Sequence, residues 1–216
     1  MSQLVLVIGN KAYSSWSLRP WLLMKHAGID FTEKKISLYA VDAKQNILQH
    51  SAAGKVPVLK EGDLTIWDSL AICEYLAEKY PDQHLWPADA AARAHARSVS
   101  AEMHSGFTQV RNQMPMNVRR EIPGRGKTPE VAAEIARVEA IWNECRARHV
   151  NDGPFLFGAF SIADAMYAPV ASRFRTYGVA LRGAAAAYVD TILALPAMQE
   201  WIAGAHAETE VNPQYE

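Results

Sequence analysis

The sequence predicts an α/β unit followed by an all-helical unit, and three observations carry that prediction. The chain opens with strand, helix and strand, then a hairpin and a helix. After Tyr80 its texture changes, because YPDQHLWPA holds two prolines and no periodicity. From there to the C-terminus, alanine-rich helical patterns dominate.

Each element has a local reason. The run LVLVI at residues 4–8 is continuously apolar, as in a strand covered on both faces by helices. Turn-like residues 9–15 follow. Apolar spacing is helical from Leu18 to Ala27, with Pro20 tolerable only in a first turn and Gly28 suited to a C-terminal cap. A second strand is expected near Phe31–Ser37, then a short irregular or helical stretch around Asp42–His50. VPVLK and LTIW flank an EGD turn as a hairpin. Asp68 or Ser69 can cap the helix that continues to about Lys79. The order βαβ, then ββα, makes a mixed four-stranded sheet in residues 1–80. An all-α unit is expected over 89–216, with 81–88 as the linker.

Bulk properties exclude several function classes. Of 216 residues half are hydrophobic and 21% are charged, a balance that buries a core and argues against disorder. The net charge of -1 offers no field for nucleic acid or an anionic membrane, and no Lys/Arg tract stands out. No apolar stretch approaches the roughly 20 residues of a membrane helix, and the N-terminus has no secretion-signal pattern. Cys73 and Cys145 lie far apart in helical patterns and are expected as buried reduced thiols, which implies a cytoplasmic location. The seven histidines show no metal-ligand spacing, so no metal is expected. The Gly/Lys-rich IPGRGKTPE at 122–130 lacks P-loop spacing and reads as a connection between two long helices.

Two segments carry chemistry. In YSSWSLRPW, Tyr13 to Trp21, seryl hydroxyls sit just before a helix, where unpaired amides and the positive dipole end favour an anion. A serine there can donate to a thiolate and lower its pKa, or Ser17 can simply cap the helix. In GKVPVLKEGDLTIWDSLAI, residues 54–72, Pro57 directly precedes a strand. A cis bond at that step turns the Val56 amide and carbonyl outward, where an extended peptide can pair with them. Asp68 and Ser69 can grip a small carboxylate and ammonium group, or serve only as a cap.

Together these segments resemble the glutathione transferase family. Ser14-Ser15-Trp16-Ser17-Leu18-Arg19 follows the S-x-x-S-x-R pattern of its serine-using, zeta-like and tau-like classes. Val56-Pro57 and Asp68-Ser69 stand in family order and at family-like separations. FGAFSIADAMYAP at 157–169 matches too, with Ser161 and Asp164 as a capping box opening a buried helix. The resemblance implies a thioredoxin-like first domain and a helical second one. It also implies glutathione as co-substrate, a homodimer and a role in detoxification. It aligns Ser14 with the catalytic serine, Ser15 being its rival. Lys55, Val56, Pro57, Asp68 and Ser69 would hold glutathione: Val56 by its backbone, Lys55 at a carboxylate, Asp68 and Ser69 at the γ-glutamyl end. Trp16 stands where zeta-type members carry Cys, and Asp68 replaces a longer Glu or Gln.

The second substrate, a small hydrophobic electrophile, is expected between the Ser14 loop and the first long helix of the helical unit. Met103, His104, Phe107 and Arg111 offer one mixed wall there, or a plain packing face. Arg173 and Arg175 lie near the position where zeta-like members use an arginine, or they are solvated surface residues. A glutathione-dependent isomerase, a peroxidase and a non-catalytic glutathione-binding module are the competing functions on this fold.

Overall fold

The computed structural model describes residues 3–215. Strand β1 (Leu4–Ile8) is central: it pairs parallel with β2 (Thr32–Lys35) and antiparallel with β3 (Val58–Glu61), and β4 (Leu64–Trp67) closes the order β2-β1-β3-β4. The continuous apolar run is explained by this position, since Leu6, Val7 and Ile8 are wholly buried. The β3–β4 turn runs through Gly62 at φ 56, a left-handed conformation that glycine adopts at no steric cost.

Helix α1 spans Ser15–His26, three residues earlier than the apolar spacing indicates, so Pro20 lies inside it. Gly28, at φ 66, ends it through its own N–H to the Lys25 carbonyl and the Ile29 N–H to the Met24 carbonyl. A short α2 (Ala43–Leu48) precedes the hairpin. Helix α3 (Ser69–Lys79) follows it, capped by Asp68, whose carboxylate accepts from the Leu70 and Ala71 N–H groups.

After a 3₁₀ turn at Pro81–Gln83 come α4 (Ala90–Ser105), α5 (Thr108–Gln113), α6 (Pro129–Arg148), α7 (Ile162–Thr176), α8 (Gly183–Ala194) and α9 (Pro196–His206). Thr128 caps α6, so the 122–130 stretch joins that helix to the short α5. Helix α7 is buried on nearly every side and lies against α1, α4 and α8. Its capping box forms as the sequence indicates. Asp164, fully buried, also accepts from the Leu156 N–H at 3.0 Å and the Tyr188 hydroxyl at 3.0 Å. One apolar cluster runs from Leu6 and Trp21 to Trp142 and Trp201, so α1 is shared between the sheet and the helices. Cys73 and Cys145 are free and buried. Desolvation pushes the Cys145 thiol up to about 12 and that of Cys73 above the range in which thiols titrate. Among the described residues no helix is long and apolar enough to cross a membrane.

Candidate active site

Strand β1 delivers the chain to a loop, residues 9–14, that is held from two sides. On one side the Asn10 side chain accepts from the Leu38 N–H at 2.8 Å, while its backbone carbonyl accepts from the Ser14 N–H at 2.8 Å. A side chain at Gly9 would meet Leu38 at 2.5 Å, so glycine lets that segment approach. On the other side the Glu208 carboxylate accepts from the Lys11 and Ala12 N–H groups at 2.7 and 3.0 Å, and the Trp201 indole donates to the Lys11 carbonyl at 2.9 Å. The C-terminal segment thereby fixes where α1 begins.

Ser14 is the N-cap of α1, and its hydroxyl donates to Ser17 Oγ at 2.8 Å. Ser17 is not the cap: it lies in the first turn, wholly buried, and accepts from the Gly9 N–H at 3.1 Å. The two hydroxyls can exchange donor and acceptor roles, because each carries one proton and two lone pairs. Ser15 Oγ accepts from Arg173 Nη2 at 3.2 Å. Ser14 and Ser15 line one groove with a cavity volume of about 530 Å³, and the amide end of α1 contributes positive potential beside it.

A second cavity, of about 560 Å³, adjoins the first across Trp16. Lys55, Val56, Pro57, Asp68 and Ser69 all line it, and the Val56-Pro57 bond is cis. Asp68 has φ 78 and ψ 131, a conformation that costs a non-glycine residue about 1–3 kcal/mol. One carboxylate oxygen caps α3. The other lies 3.1 Å from His104 Nε2, so His104 reaches across from α4 to the same wall. Burial lowers the His104 pKa, with Asp68 opposing the shift and Arg19 and Arg111 adding to it.

The expected electrophile wall divides. Helix α4 stops at Ser105. Glycine is required next, since a side chain at Gly106 would lie 2.8 Å from the Glu102 carbonyl, and Phe107 then takes a left-handed φ of 56. Met103, on the buried face of α4, and Phe107, beyond the break, both lie in the core, so neither lines either cavity, whereas His104 and Arg111 do. Arg173 corrects the surface reading: it is 4% exposed and lines the groove, while Arg175 pairs with Asp190 outside it at 2.9 Å.

The arginines around the site have contacts that no local signal reports. Arg19 is buried and donates Nη1 at 3.4 Å to Ser69 Oγ, a residue of the second cavity. The indole of Trp16 lies between the Arg19 and Arg111 guanidiniums, at 4.2 and 4.6 Å. Burial, then repulsion from Arg111 and Arg173, holds the Arg19 pKa well below its ordinary value. Burial lowers Arg173 to about 10. Of these, the sequence singles out Arg111 and Arg173, and the place of Arg19 in the serine motif is the one sign that it belongs here. Among the described residues no group of three or more His, Cys, Asp or Glu gathers as metal ligands would.

Comparison with known proteins follows the same two halves. The glutathione S-transferase N-terminal domain model matches residues 13–79, and the C-terminal domain model of the same family matches residues 117–204. A protein of Caenorhabditis elegans described as a probable maleylacetoacetate isomerase is 38% identical over 98 residues, which is 45% of this chain and 45% of that protein. Glutathione S-transferase 1 of Dianthus caryophyllus is 35% identical over 104 residues, 48% of this chain and 46% of its own. These matches therefore take in under half the length of either relative. Among solved structures, a glutathione transferase homologue from Burkholderia with bound glutathione superposes with a TM-score of 0.73 at 23% identity, covering 95% of this chain and 100% of that one.

Proposed function

The chain belongs to the glutathione S-transferase family through both of its halves, and from that premise we propose that it activates the thiol of glutathione for attack on a small electrophile. The observation that carries the proposal is the hydroxyl pair at the start of α1, Ser14 against Ser17, backed by the Gly9 N–H and opening on a groove. With sulfur in that groove, Ser17 donates to Ser14 and Ser14 donates to the sulfur, so the thiolate gains a charge-assisted bond without any strong base. The thiol proton leaves to solvent. The thiolate then forms a carbon–sulfur bond with the electrophile as the leaving group departs with its electron pair, and proximity lowers the barrier.

Glutathione lies along the cavity beside the cis Val56-Pro57 step in this reading. Val56 pairs its backbone with the cysteinyl part, Lys55 meets a carboxylate, and Ser69 with Asp68 holds the γ-glutamyl end. Asp68 is shorter than a glutamate, and its remaining oxygen is already shared with His104, so its contact with the ammonium runs through water. Residues 1–80 act as the glutathione-binding domain and 89–216 as the domain that completes the electrophile groove, joined by 81–88. A cytoplasmic homodimer with a role in detoxification completes the proposal. Leu64 and Trp67, exposed on the sheet edge, are apolar residues that a partner copy would cover.

The test is calorimetry with reduced glutathione, thiolate absorbance of the complex, and a panel of aryl halides, enals, hydroperoxides and maleyl compounds. Heat of binding, thiolate at neutral pH and conjugation support the proposal; no heat with reduced glutathione overturns it. Turnover confined to maleyl compounds or hydroperoxides would replace transfer by isomerisation or peroxide reduction at the same site.

A further inference from the structure

The groove beside the serines is unusual in its charge. Arg173 spends its donors on neutral acceptors only: Nε on the Met114 carbonyl at 2.8 Å, Nη1 on that of Pro169 at 3.3 Å, and Nη2 on Ser15. Arg111 donates Nε to the Gly106 carbonyl at 2.9 Å and Nη2 to the Met103 and His104 carbonyls, leaving Nη1 buried without a partner. Arg19 likewise leaves Nε and Nη2 unpartnered. Among the described residues no carboxylate forms an ion pair with any of the three. The neighbouring acids are committed elsewhere, Asp68 to His104 and its helix cap, Glu134 to the Gln109 and Val110 N–H groups.

Removing a cation from water without a counter-charge is costly, and a ligand that supplies the missing charge offsets that cost. A thiolate beside Ser14 supplies one negative charge for three guanidiniums. In the reading above, Asp68 and Ser69 hold the γ-glutamyl end on the far side of Trp16, and Lys55, which borders both cavities, meets the other carboxylate of glutathione. Arg111 therefore still lines the groove with its charge uncompensated, next to the apolar surfaces of Pro115, Met116 and Tyr39.

Resting on the transferase reading, we infer that the second substrate carries an anionic group, a carboxylate or sulfonate, on an otherwise apolar body, and that the Arg111 guanidinium binds it. A neutral electrophile satisfies the apolar wall and leaves the guanidinium unpaired. The anionic one satisfies both, and it places its reactive carbon toward Ser14.

The experiment compares kcat/KM for chlorodinitrobenzene and for its carboxylate analogue chlorodinitrobenzoate, each divided by its uncatalysed rate with glutathione. The benzoate is expected to be favoured about tenfold, with the preference shrinking as salt screens the charge. In Arg111→Gln the preference falls about tenfold, mainly through KM, and Arg111→Lys recovers part of it. A ratio at or below one in the unaltered protein, or a ratio that Arg111→Gln leaves unchanged, overturns the inference. Arg111 also ties the α4–α5 turn, so if neither variant folds the salt dependence of the unaltered protein decides: a salt-insensitive ratio overturns it. No product with either substrate overturns the transferase reading itself, and this inference with it.

Discussion

Replacing Ser14 by alanine removes one hydroxyl and no charge, which makes it the cleanest perturbation of the proposed thiolate site. In the present structure that hydroxyl lies 2.8 Å from Ser17 Oγ and is backed by the Gly9 N–H at 3.1 Å from the same oxygen. A hydrogen bond to a charged group contributes about 1.5–3 kcal/mol. At about 1.4 kcal/mol per pKa unit, its loss raises the bound thiol by about one to two units. At a pH below that pKa the thiolate fraction, and with it the conjugation rate, falls about tenfold to a hundredfold. Glutathione affinity changes far less, since the tripeptide backbone is held elsewhere. Thiolate absorbance of the complex, titrated against pH alongside kcat and glutathione affinity, reads all three quantities. An unmoved titration in Ser14→Ala, with the full shift appearing in Ser15→Ala, would refute the assignment and transfer the role to the serine held by Arg173.

Further outcomes follow from particular contacts. Burial raises the Asp164 carboxyl from 3.8 to about 6, against the pull of its hydrogen bonds. Because the folded state holds this proton more tightly than the unfolded one, its contribution to stability is complete below about pH 4 and is lost as pH rises through about 6. The stability of Asp164→Asn relative to the unaltered chain should therefore improve between pH 4 and 7, by up to about 3 kcal/mol; a pH-independent difference in denaturant melts refutes this. Glu208→Ala strips the carboxylate from the Lys11 and Ala12 N–H groups and should cost about 1–3 kcal/mol, while raising the pKa of bound glutathione as the Ser14 loop shifts. Glu208→Gln should recover part of both effects; loss of stability with an unchanged thiol titration would make the residue purely structural. Cys73 and Cys145, buried with raised pKa values, should resist alkylation in the folded protein and react only on denaturation, as mass spectrometry can follow.

Much of the fold was legible because its signals are local. A run such as LVLVI, the EGD turn, the Asp68 cap and the S-x-x-D box each depend on contacts within a few residues, so periodicity and turn chemistry report them directly. The limits of that reading are equally local. Helix α1 begins at Ser15 rather than Leu18 because Ser17 is buried against the Gly9 amide instead of capping, and apolar spacing cannot register a buried hydroxyl. Met103, His104, Phe107 and Arg111 share a helical spacing only if the helix continues. The helix ends at Gly106, and two of the four lie in the core: Met103 on the buried face of α4 and Phe107 beyond the break.

By itself, then, the sequence determined the order of elements, the serines at a helix start, the Val56-Pro57 step and the family. Tertiary structure alone decided what surrounds them. Arg173 reaches Ser15 across 158 positions of chain, and Glu208 reaches Lys11 across 197. Spacing shows which residues share a face; which distant side chain covers that face, and whether its charge finds a partner there, is set by the packing of α1 against α7 and of the C-terminal segment against the loop.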